Sequence, residues 1–214
     1  MQDIAIYGAG GLGREIKILI DRINNTTPHW NFIGFFDDGI PKGTNIHDYG
    51  IVLGGIQELN QWSKDLSVAL CFGNSKTLKK VKEKINNNNI SFPNLIDPSF
   101  YMGDPKSLKL GEGNIIQGCF VGSVNISIGD FNLFNGDIWI GHDVHIGNYN
   151  IVMPGARISG EVIMGNNNLI GADSFIKQQI KIGNNITLSP LSALLTKPKD
   201  GNTYIGNPAK IFKF

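Results

Sequence analysis

Apolar side chains recur at every sixth position along the second half of the chain. The series begins at Leu110 and ends at Leu194, and only Gly122 among its fifteen members is not a bulky apolar residue. A period of six fits neither a helix face, which repeats about every 3.6 residues, nor a simple alternating strand. It is typical of a parallel β-helix built from hexapeptides, in which three hexapeptides make one triangular coil of about eighteen residues.

Glycine and asparagine follow the same spacing. Glycine comes directly after the apolar position at residues 111, 129, 141, 147, 165, 171 and 183, and we interpret it as a turn residue that needs relaxed backbone dihedrals. Asparagine recurs every eighteen residues along one edge of the expected prism, at Asn114, Asn132, Asn150 and Asn168. Stacked amides form hydrogen-bonded ladders in other repetitive β structures, and we expect such a ladder here.

The first 96 residues have no six-residue period. Ile4–Tyr7 and Phe32–Phe36 are short apolar runs typical of buried strands, and Arg14–Ile23 between them carries apolar residues at helical spacing. Strands that alternate with helices predict a small parallel sheet. The sequence therefore predicts an α/β plus all-β chain, with a small Rossmann-like parallel α/β domain over residues 1–96 and a parallel β-helix of hexapeptide repeats over residues 97–214.

Composition narrows the function classes. The net charge is +1 and charged residues make up 17% of the chain, so we expect neither a nucleic-acid surface nor an anionic-membrane surface. No window approaches the roughly 18 apolar residues of a membrane span. Two cysteines are too few for a disulfide framework. The amino terminus enters a strand pattern at once, so we expect no signal peptide and a cytoplasmic protein.

A glycine-rich loop follows the first predicted strand. Gly8-x-Gly10-x-x-Gly13 precedes a predicted helix, and Asp37 and Asp38 follow about 20 residues further on, which fits the dinucleotide fingerprint. Backbone amides at the helix start would approach a phosphate, and an aspartate would accept a hydrogen bond from a ribose or a base. NAD normally spans two mononucleotide halves, whereas this predicted sheet ends after about one. A nucleotide-linked substrate is therefore favoured over NAD, and a purely structural turn is the third alternative.

The predicted prism contains two histidines, His142 and His145. His142 lies two places after an inward position, at an outer corner, and stacks at eighteen-residue spacing with Gly160 and Gln178. The adjacent Asp143 would fix the tautomer of the imidazole and support its charged form, as a general base requires. Two solvated surface histidines are the alternative interpretation.

A metal site is the weaker hypothesis for the same region. Catalytic zinc usually has three protein ligands, and the prism offers two histidines and no cysteine cluster. Carbonic anhydrases of the γ class, which are also prisms, bind their metal with three histidines shared between subunits. The predicted prism does not contain three histidines. We therefore expect no metal.

Several segments together carry a family resemblance over nearly the whole chain. They are Ile6–Gly11, Gly34–Asp38, Phe92–Ile96, Ile140–Asp143, Gly155–Gly160 and Ile205–Lys210. These segments resemble those of bacterial sugar acetyltransferases of the NeuD and PglD type, which are sialic acid O-acetyltransferases and nucleotide-sugar N-acetyltransferases. The hexapeptides alone are shared by many acyltransferases, whereas this domain order with a His-Asp pair is more specific.

The resemblance implies a left-handed prism, a homotrimer and acetyl-CoA in a groove between neighbouring prisms. It implies that His142 is the general base, supported by Asp143, and that the amide of Gly160 faces the thioester carbonyl. The resemblance also assigns residues that bind the two substrates. Those are Ala172 and Pro190 for the coenzyme, Gly10, Gly11, Asp37, Asp38 and Gly73 for the nucleotide, and Asn135 for the acceptor sugar.

The chain departs from the nucleotide-sugar members at two positions. Leu12 stands where they carry a histidine in the glycine loop, and Ile151 stands where they carry a second prism histidine. The histidine that would act as general base is retained. The two departures therefore affect the prediction of the acceptor and not the prediction of acyl transfer. The sequence thus predicts an acetyl-CoA-dependent O- or N-acetyltransferase that acts on a sugar or nucleotide-linked sugar in glycan or surface-polysaccharide biosynthesis. A non-catalytic nucleotide-binding or assembly prism is the alternative, and an NAD-dependent oxidoreductase is a less favoured one.

Overall fold

The computed structural model describes residues 1–213 and divides the chain into two compact units. The first unit is Met1–Pro98 and the second begins at Ser99. Within residues 1–213, no helix combines the length and the apolar character that crossing a membrane would require.

The first unit is built on a six-stranded sheet with the order β3-β4-β2-β1-β5-β6, parallel except for the β3–β4 pair. Its strands are β1 Gln2–Tyr7, β2 Trp30–Phe36, β3 Asn45–Ile46, β4 Gly50–Gly54, β5 Leu66–Leu70 and β6 Ile90–Ser91, and the short β7 Leu95–Ile96 follows. Its helices are α1 Gly11–Thr26, α2 Ile56–Asn60 and α3 Ser75–Lys84. β5 is buried throughout and β1 is buried from Ile4 to Tyr7, and α1 packs its buried Ile16, Leu19 and Ile20 against the sheet.

Two features of this unit differ from what the sequence pattern indicates. The hairpin of β3 and β4 has short strands and was not apparent from the pattern. The apolar positions from Ile56 to Lys64 suggest a longer helix, but α2 ends at Asn60. The Asn60 side chain bonds the carbonyl of Lys84 and the amide of Asn86 instead, which ties the end of α2 to the end of α3.

The second unit is a left-handed parallel β-helix with three faces, each a parallel ladder of short strands. We name the faces after one outward residue. The Leu133 face contains Ile115–Ile116, Leu133–Phe134, Ile151–Val152, Leu169–Ile170, Thr187–Leu188 and Thr203–Ile205, to which Lys210–Phe212 adds antiparallel. The Trp139 face contains Tyr101–Met102, Val121–Gly122, Trp139–Ile140, Arg157–Ile158, Phe175–Ile176 and Ala193–Leu194. The His145 face contains Lys109–Leu110, Ser127–Ile128, His145–Ile146, Ile163–Met164 and Lys181–Ile182, and a 3-10 turn spans Pro105–Ser107.

The six-residue apolar series forms the core of the prism. Its members from Ile116 to Leu194 are all buried, and Leu110 at the start is half-buried. Paired strands are offset by eighteen residues, so that Ile140 lies beside Ile158 and Trp139 beside Arg157. At Gly122 the side chain of Met102 occupies the space that a β-carbon would need.

The predicted asparagine ladder is confirmed. Asn114, Asn132, Asn150 and Asn168 are at most 1% exposed. The Asn132 oxygen accepts the backbone N–H of Asn150 at 2.8 Å and its side-chain amide at 3.0 Å, and the Asn150 oxygen binds Asn168 in the same way. The oxygens of Asn114, Asn132 and Asn150 each accept twice, so the ladder satisfies buried backbone donors along one edge of the prism.

Our interpretation of the recurring glycines as residues with relaxed dihedrals is wrong. The left-handed conformation falls two positions later, at every sixth residue from Gly113 to Leu191, with φ between 45° and 78°. Most of those positions are not glycine. The recurring glycines instead lie where consecutive coils touch, since a β-carbon on Gly147 would lie 2.7 Å from the carbonyl oxygen of Gly165. Steric contact between coils, rather than backbone conformation, therefore requires glycine there.

Candidate active site

His142 lies on the corner that joins the Trp139 face to the His145 face. Successive coils place residues 123–125, 141–143, 159–161 and 177–179 above one another there, and we call this corner the His142 edge. The coils are joined along the edge by backbone hydrogen bonds, among them Glu161 N–H to the His142 carbonyl at 2.8 Å. The edge therefore holds its side chains on a rigid scaffold.

The imidazole of His142 is hydrogen-bonded to the neighbouring carboxylate. Nδ1 lies 2.8 Å from Oδ2 of Asp143, and both side chains are 48% exposed. Hydrogen bonds from His142 and then from Asn125 hold the pKa of Asp143 below its usual value, so this carboxylate is ionised at neutral pH. An ionised carboxylate only accepts hydrogen bonds, so Nδ1 carries the proton and Nε2 of a neutral ring presents a lone pair.

Gly160 lies against the other side of the same ring. A β-carbon at Gly160 would lie 2.6 Å from Nε2 of His142, so only glycine leaves room for the imidazole in this position. Within residues 1–213 no acceptor for the Gly160 backbone N–H was found. A free backbone donor beside a basic nitrogen is the arrangement needed to stabilise a developing oxyanion.

Asn125 is a member of this site that the motif analysis missed. Its side-chain amide donates to Oδ1 of Asp143 at 3.0 Å, opposite the oxygen that binds His142. Asn125 stands eighteen residues before Asp143, so the coil spacing already carried the signal. Asn125, Asp143 and His142 thus form a chain of side chains in which each orients the next.

The remaining prism residues named from the sequence lie on a different edge. Ala172 and Pro190 lie at the corner between the Leu133 and Trp139 faces, where Leu191 N–H binds the Ala172 carbonyl at 2.8 Å. Asn135 is on the same corner, and its side-chain oxygen accepts from Gln117. Within one chain, the predicted site residues of the prism therefore lie on two edges, one on each side of the Trp139 face.

The Trp139 face carries an exposed aromatic surface. Tyr101, Trp139 and Phe175 are 60%, 49% and 42% exposed. The Arg157 guanidinium lies 5.6 Å from the centre of the Trp139 ring and donates to the Asp137 carbonyl. A groove of about 480 Å³ runs along this face and reaches Gly141, the residue before His142.

The glycine loop of the first unit has the packing that the fingerprint predicts. Gly8 has φ 109°, and a β-carbon there would lie 2.6 Å from the carbonyl oxygen of Cys71. A β-carbon on Gly13 would overlap the carbonyl of Gly8, so the start of α1 packs directly on the loop. Gly10 and Gly11 have open space around them and precede or begin α1, which leaves the helix start open to a ligand.

Both aspartates of this unit hold backbone amides. Asp37 accepts from the amides of Ala9 at 2.9 Å and Gly39 at 2.8 Å, so both of its oxygens are used. Asp38 accepts through Oδ1 from the Ile56 amide at 2.8 Å. Asp37 therefore braces the glycine loop, whereas Asp38 holds the start of α2 and lies beside the hydroxyl of Tyr7.

The carboxyl ends of the central strands bring the nucleotide residues to one edge of the sheet. The glycine loop follows β1, Asp37 and Asp38 follow β2, and Gly73 follows β5. In the sheet, β1 lies between β2 and β5. Ligands of open α/β sheets bind in this position, outside the carboxyl ends of the strands. A cavity of about 260 Å³ lies here, lined by Asp37, Asp38, Lys42 and Glu58 among others.

Other chemically active groups of the described residues form no metal site. In residues 1–213, no three His, Cys, Asp or Glu side chains are arranged to hold a metal ion. His145 points along its own face, where Nδ1 lies 2.6 Å from the hydroxyl of Ser127.

Fold and site together define a Rossmann-like domain followed in the chain by a left-handed parallel β-helix with a histidine–aspartate pair on one edge. Residues 3–85 match the family model of the PglD N-terminal domain. No curated protein sequence matches the chain. The resemblance to the PglD group, which the motifs predicted, is confirmed over residues 3–85.

Solved structures match both units over nearly their full length. The acetyltransferase domain of PglB from Neisseria gonorrhoeae is 23% identical, with 99% of this chain and 100% of that chain covered and a TM-score of 0.86. WeeI from Acinetobacter baumannii is 24% identical, with the same coverage and TM-score. Perosamine N-acetyltransferase from Caulobacter crescentus, solved with CoA and GDP-perosamine, is 21% identical, with 100% and 98% covered and a TM-score of 0.85. At these identities the likeness establishes the fold, and the predicted fold class is confirmed.

Proposed function

We propose that this protein is an acetyl-CoA-dependent acetyltransferase that acts on a nucleotide-linked sugar. The observation that carries the proposal is the geometry of His142, whose Nδ1 is held by an ionised Asp143 and whose Nε2 faces Gly160. This arrangement provides a base and an unused backbone donor next to each other on a rigid edge. The fold is shared with proteins whose structures were solved with acetyl coenzyme A or with CoA and GDP-perosamine.

The proposed reaction is a direct acyl transfer. The acceptor oxygen or nitrogen attacks the thioester carbonyl while Nε2 of His142 removes its proton, and the Gly160 amide stabilises the oxyanion that develops. The thioester carbon–sulfur bond then breaks, and the coenzyme leaves as a thiol after it takes up the proton. Asp143 stabilises the imidazolium between the two proton transfers. A donor that stabilises an oxyanion in this way lowers the activation free energy by roughly 3–4 kcal/mol in other enzymes.

The coenzyme site in this proposal is shared between chains of a homotrimer. Gly160 lies on one edge of the prism, whereas Ala172 and Pro190 lie on the next. A closed ring of three chains would place one edge of each prism beside the other edge of its neighbour and would cover the exposed aromatic face. Three equivalent grooves would result.

The acceptor in this proposal is recognised through its nucleotide by the first unit. Gly10, Gly11 and Gly73 leave open space beside the positive end of α1, where a phosphate is stabilised. Asp38 is the proposed contact to a ribose or base, and Asn135 is the proposed contact to the sugar. The perosamine N-acetyltransferase that shares this fold was solved with GDP-perosamine.

The proposal is tested by release of free thiol from acetyl-CoA in the presence of candidate acceptors. GDP-perosamine and dTDP-4-amino-4,6-dideoxyglucose, together with neutral nucleotide sugars and free sugars, form the panel, and mass spectrometry identifies the acetylated product. We expect thiol release and a mass gain of one acetyl group with at least one nucleotide sugar. A non-catalytic binding or assembly module would release no thiol with any member of the panel.

A further inference from the structure

Two carboxylates are stacked on the His142 edge. Asp143 and Glu161 are eighteen residues apart and adopt the same left-handed conformation, with φ of 57° and 58°. Neighbouring strands are about 4.8 Å apart, so consecutive coils bring the two acids close together. Like charges at neighbouring positions of a ladder repel each other, so this pair needs compensation.

Amide side chains from neighbouring coils hold both acids. Asn125 donates to Asp143 at 3.0 Å from one side of the stack. Gln178 and Gln179 donate to the two oxygens of Glu161, at 2.9 Å and 3.1 Å, from the other side. The carboxylate of Glu161 is therefore fixed in position although the residue is exposed. Neutral amides orient a charge but do not cancel it.

His142 is a basic group that acts on both acids. The Glu161 backbone N–H binds the His142 carbonyl at 2.8 Å, and Gly160, the residue before Glu161, contacts the imidazole. Hydrogen bonds from Gln178 and Gln179, and then the charge of His142, hold the pKa of Glu161 below its usual value. The other titratable groups around His142 are Asp143 and, on the adjacent face, His145.

We propose that Glu161 is a positioning residue that acts with Asp143 to stabilise the imidazolium of His142 during proton removal. Asp143 binds Nδ1 directly, while Glu161 adds a second fixed negative charge from the next coil. The inference rests on the proposed function, since it assumes that His142 accepts a proton. Gln178 and Gln179 have the supporting role of holding the carboxylate in one position.

The test is the titration of His142 followed by NMR of its imidazole, with the signal assigned by its loss in H142A. Replacing Glu161 by Gln removes the charge and keeps the size of the side chain. We expect the titration midpoint of His142 to be lower in E161Q than in wild type at low ionic strength, because a nearby negative charge favours the imidazolium, with a smaller change in 1 M salt. Glu112→Gln is the matched control, because Glu112 is exposed on another edge, and it should leave the midpoint unchanged.

Two further variants separate charge from structure. Glu161→Asp keeps the charge and should shift the midpoint less than E161Q. Gln178→Ala removes one of the two amides that hold the carboxylate and leaves its charge in place, so it should shift the midpoint less than E161Q. A purely structural role would lower the unfolding temperature of E161Q without moving the midpoint.

The proposal is overturned if E161Q and wild type titrate alike while E112Q also matches them. That outcome is distinct from failure of the proposed function. If H142A retained acetyl transfer, the role of His142 itself would be wrong, whatever E161Q does. If H142A lost transfer and E161Q titrated as wild type, only the role of Glu161 would be wrong.

Discussion

The imidazole of His142 lies so close to Gly160 that a single β-carbon would fall 2.6 Å from its Nε2. Gly160 itself does not have a positive φ, so its own conformation accepts alanine. A methyl group on residue 160 would therefore displace the imidazole of His142 and not the backbone of the prism. A substitution at Gly160 is thus expected to change the activity of the protein without changing its stability.

Gly160→Ala is expected to abolish most activity without unfolding the prism. The added methyl group forces the exposed imidazole to rotate away, because its end is free to move and the backbone is not. A displaced base loses its contribution of about 10²–10⁴-fold to the rate. Turnover with acetyl-CoA and an accepted nucleotide sugar, measured beside the thermal unfolding midpoint, checks this. Full turnover in the variant would show that the position of the ring against Gly160 is unimportant.

Asn150→Ala is expected to destabilise the prism by about 3 kcal/mol. The substitution leaves the buried backbone N–H of Asn168 without its acceptor and removes a hydrogen bond of the Asn168 side-chain amide, and an orphaned buried group costs about 1–3 kcal/mol. Asn148→Ala is the control, since Asn148 stacks at the same spacing on the surface, half-buried, and accepts from the Asp130 amide. Chemical denaturation measures both. Equal losses would mean that burial of the ladder contributes nothing.

Asp38→Asn is expected to weaken nucleotide-sugar binding and leave acetyl-CoA binding unchanged. Asparagine retains an oxygen for the Ile56 amide, so the fold around α2 should persist while the charge is lost. Isothermal titration calorimetry with each ligand measures the two affinities. A parallel loss for both ligands would indicate misfolding, and tight NAD binding by the wild-type protein would favour an oxidoreductase.

The protein is expected to be a trimer in solution, with three times the chain mass of 23.4 kDa. Trp139 and Phe175 leave an apolar face exposed in a single chain, and burial of such a face favours association. Trp139→Glu should shift the population toward monomer, which sedimentation equilibrium detects. A wild-type monomer at micromolar concentration would remove the basis for a shared groove.

Periodicity predicted the prism almost completely, because each coil repeats one packing problem. The buried series and the asparagine ladder followed from spacing alone. The glycine positions were predicted correctly as special but for the wrong reason, since contact between coils such as that of Gly147 with Gly165 is not visible in a local pattern. The short hairpin of β3 and β4 carried no comparable repeat.

The site was predicted in part. His142, Asp143 and Gly160 come together on one edge because they are adjacent or eighteen residues apart. Asn125 and Glu161 share that spacing but lack a distinctive residue type, so a search for catalytic motifs passes over them. Ala172 and Pro190 lie on another edge, and no pattern within one chain says how edges of different chains would meet.

The central claim is that His142 is the base for acyl transfer, and His142→Ala tests it most directly. The variant should lower kcat by about 10²–10⁴-fold while the KM for acetyl-CoA changes little and the thermal unfolding midpoint stays near that of wild type. His145→Ala is the matched control, because His145 is also exposed but faces Ser127 on the next face, and it should keep most of the activity. Nearly full turnover of the H142A protein with a true acceptor would contradict the account.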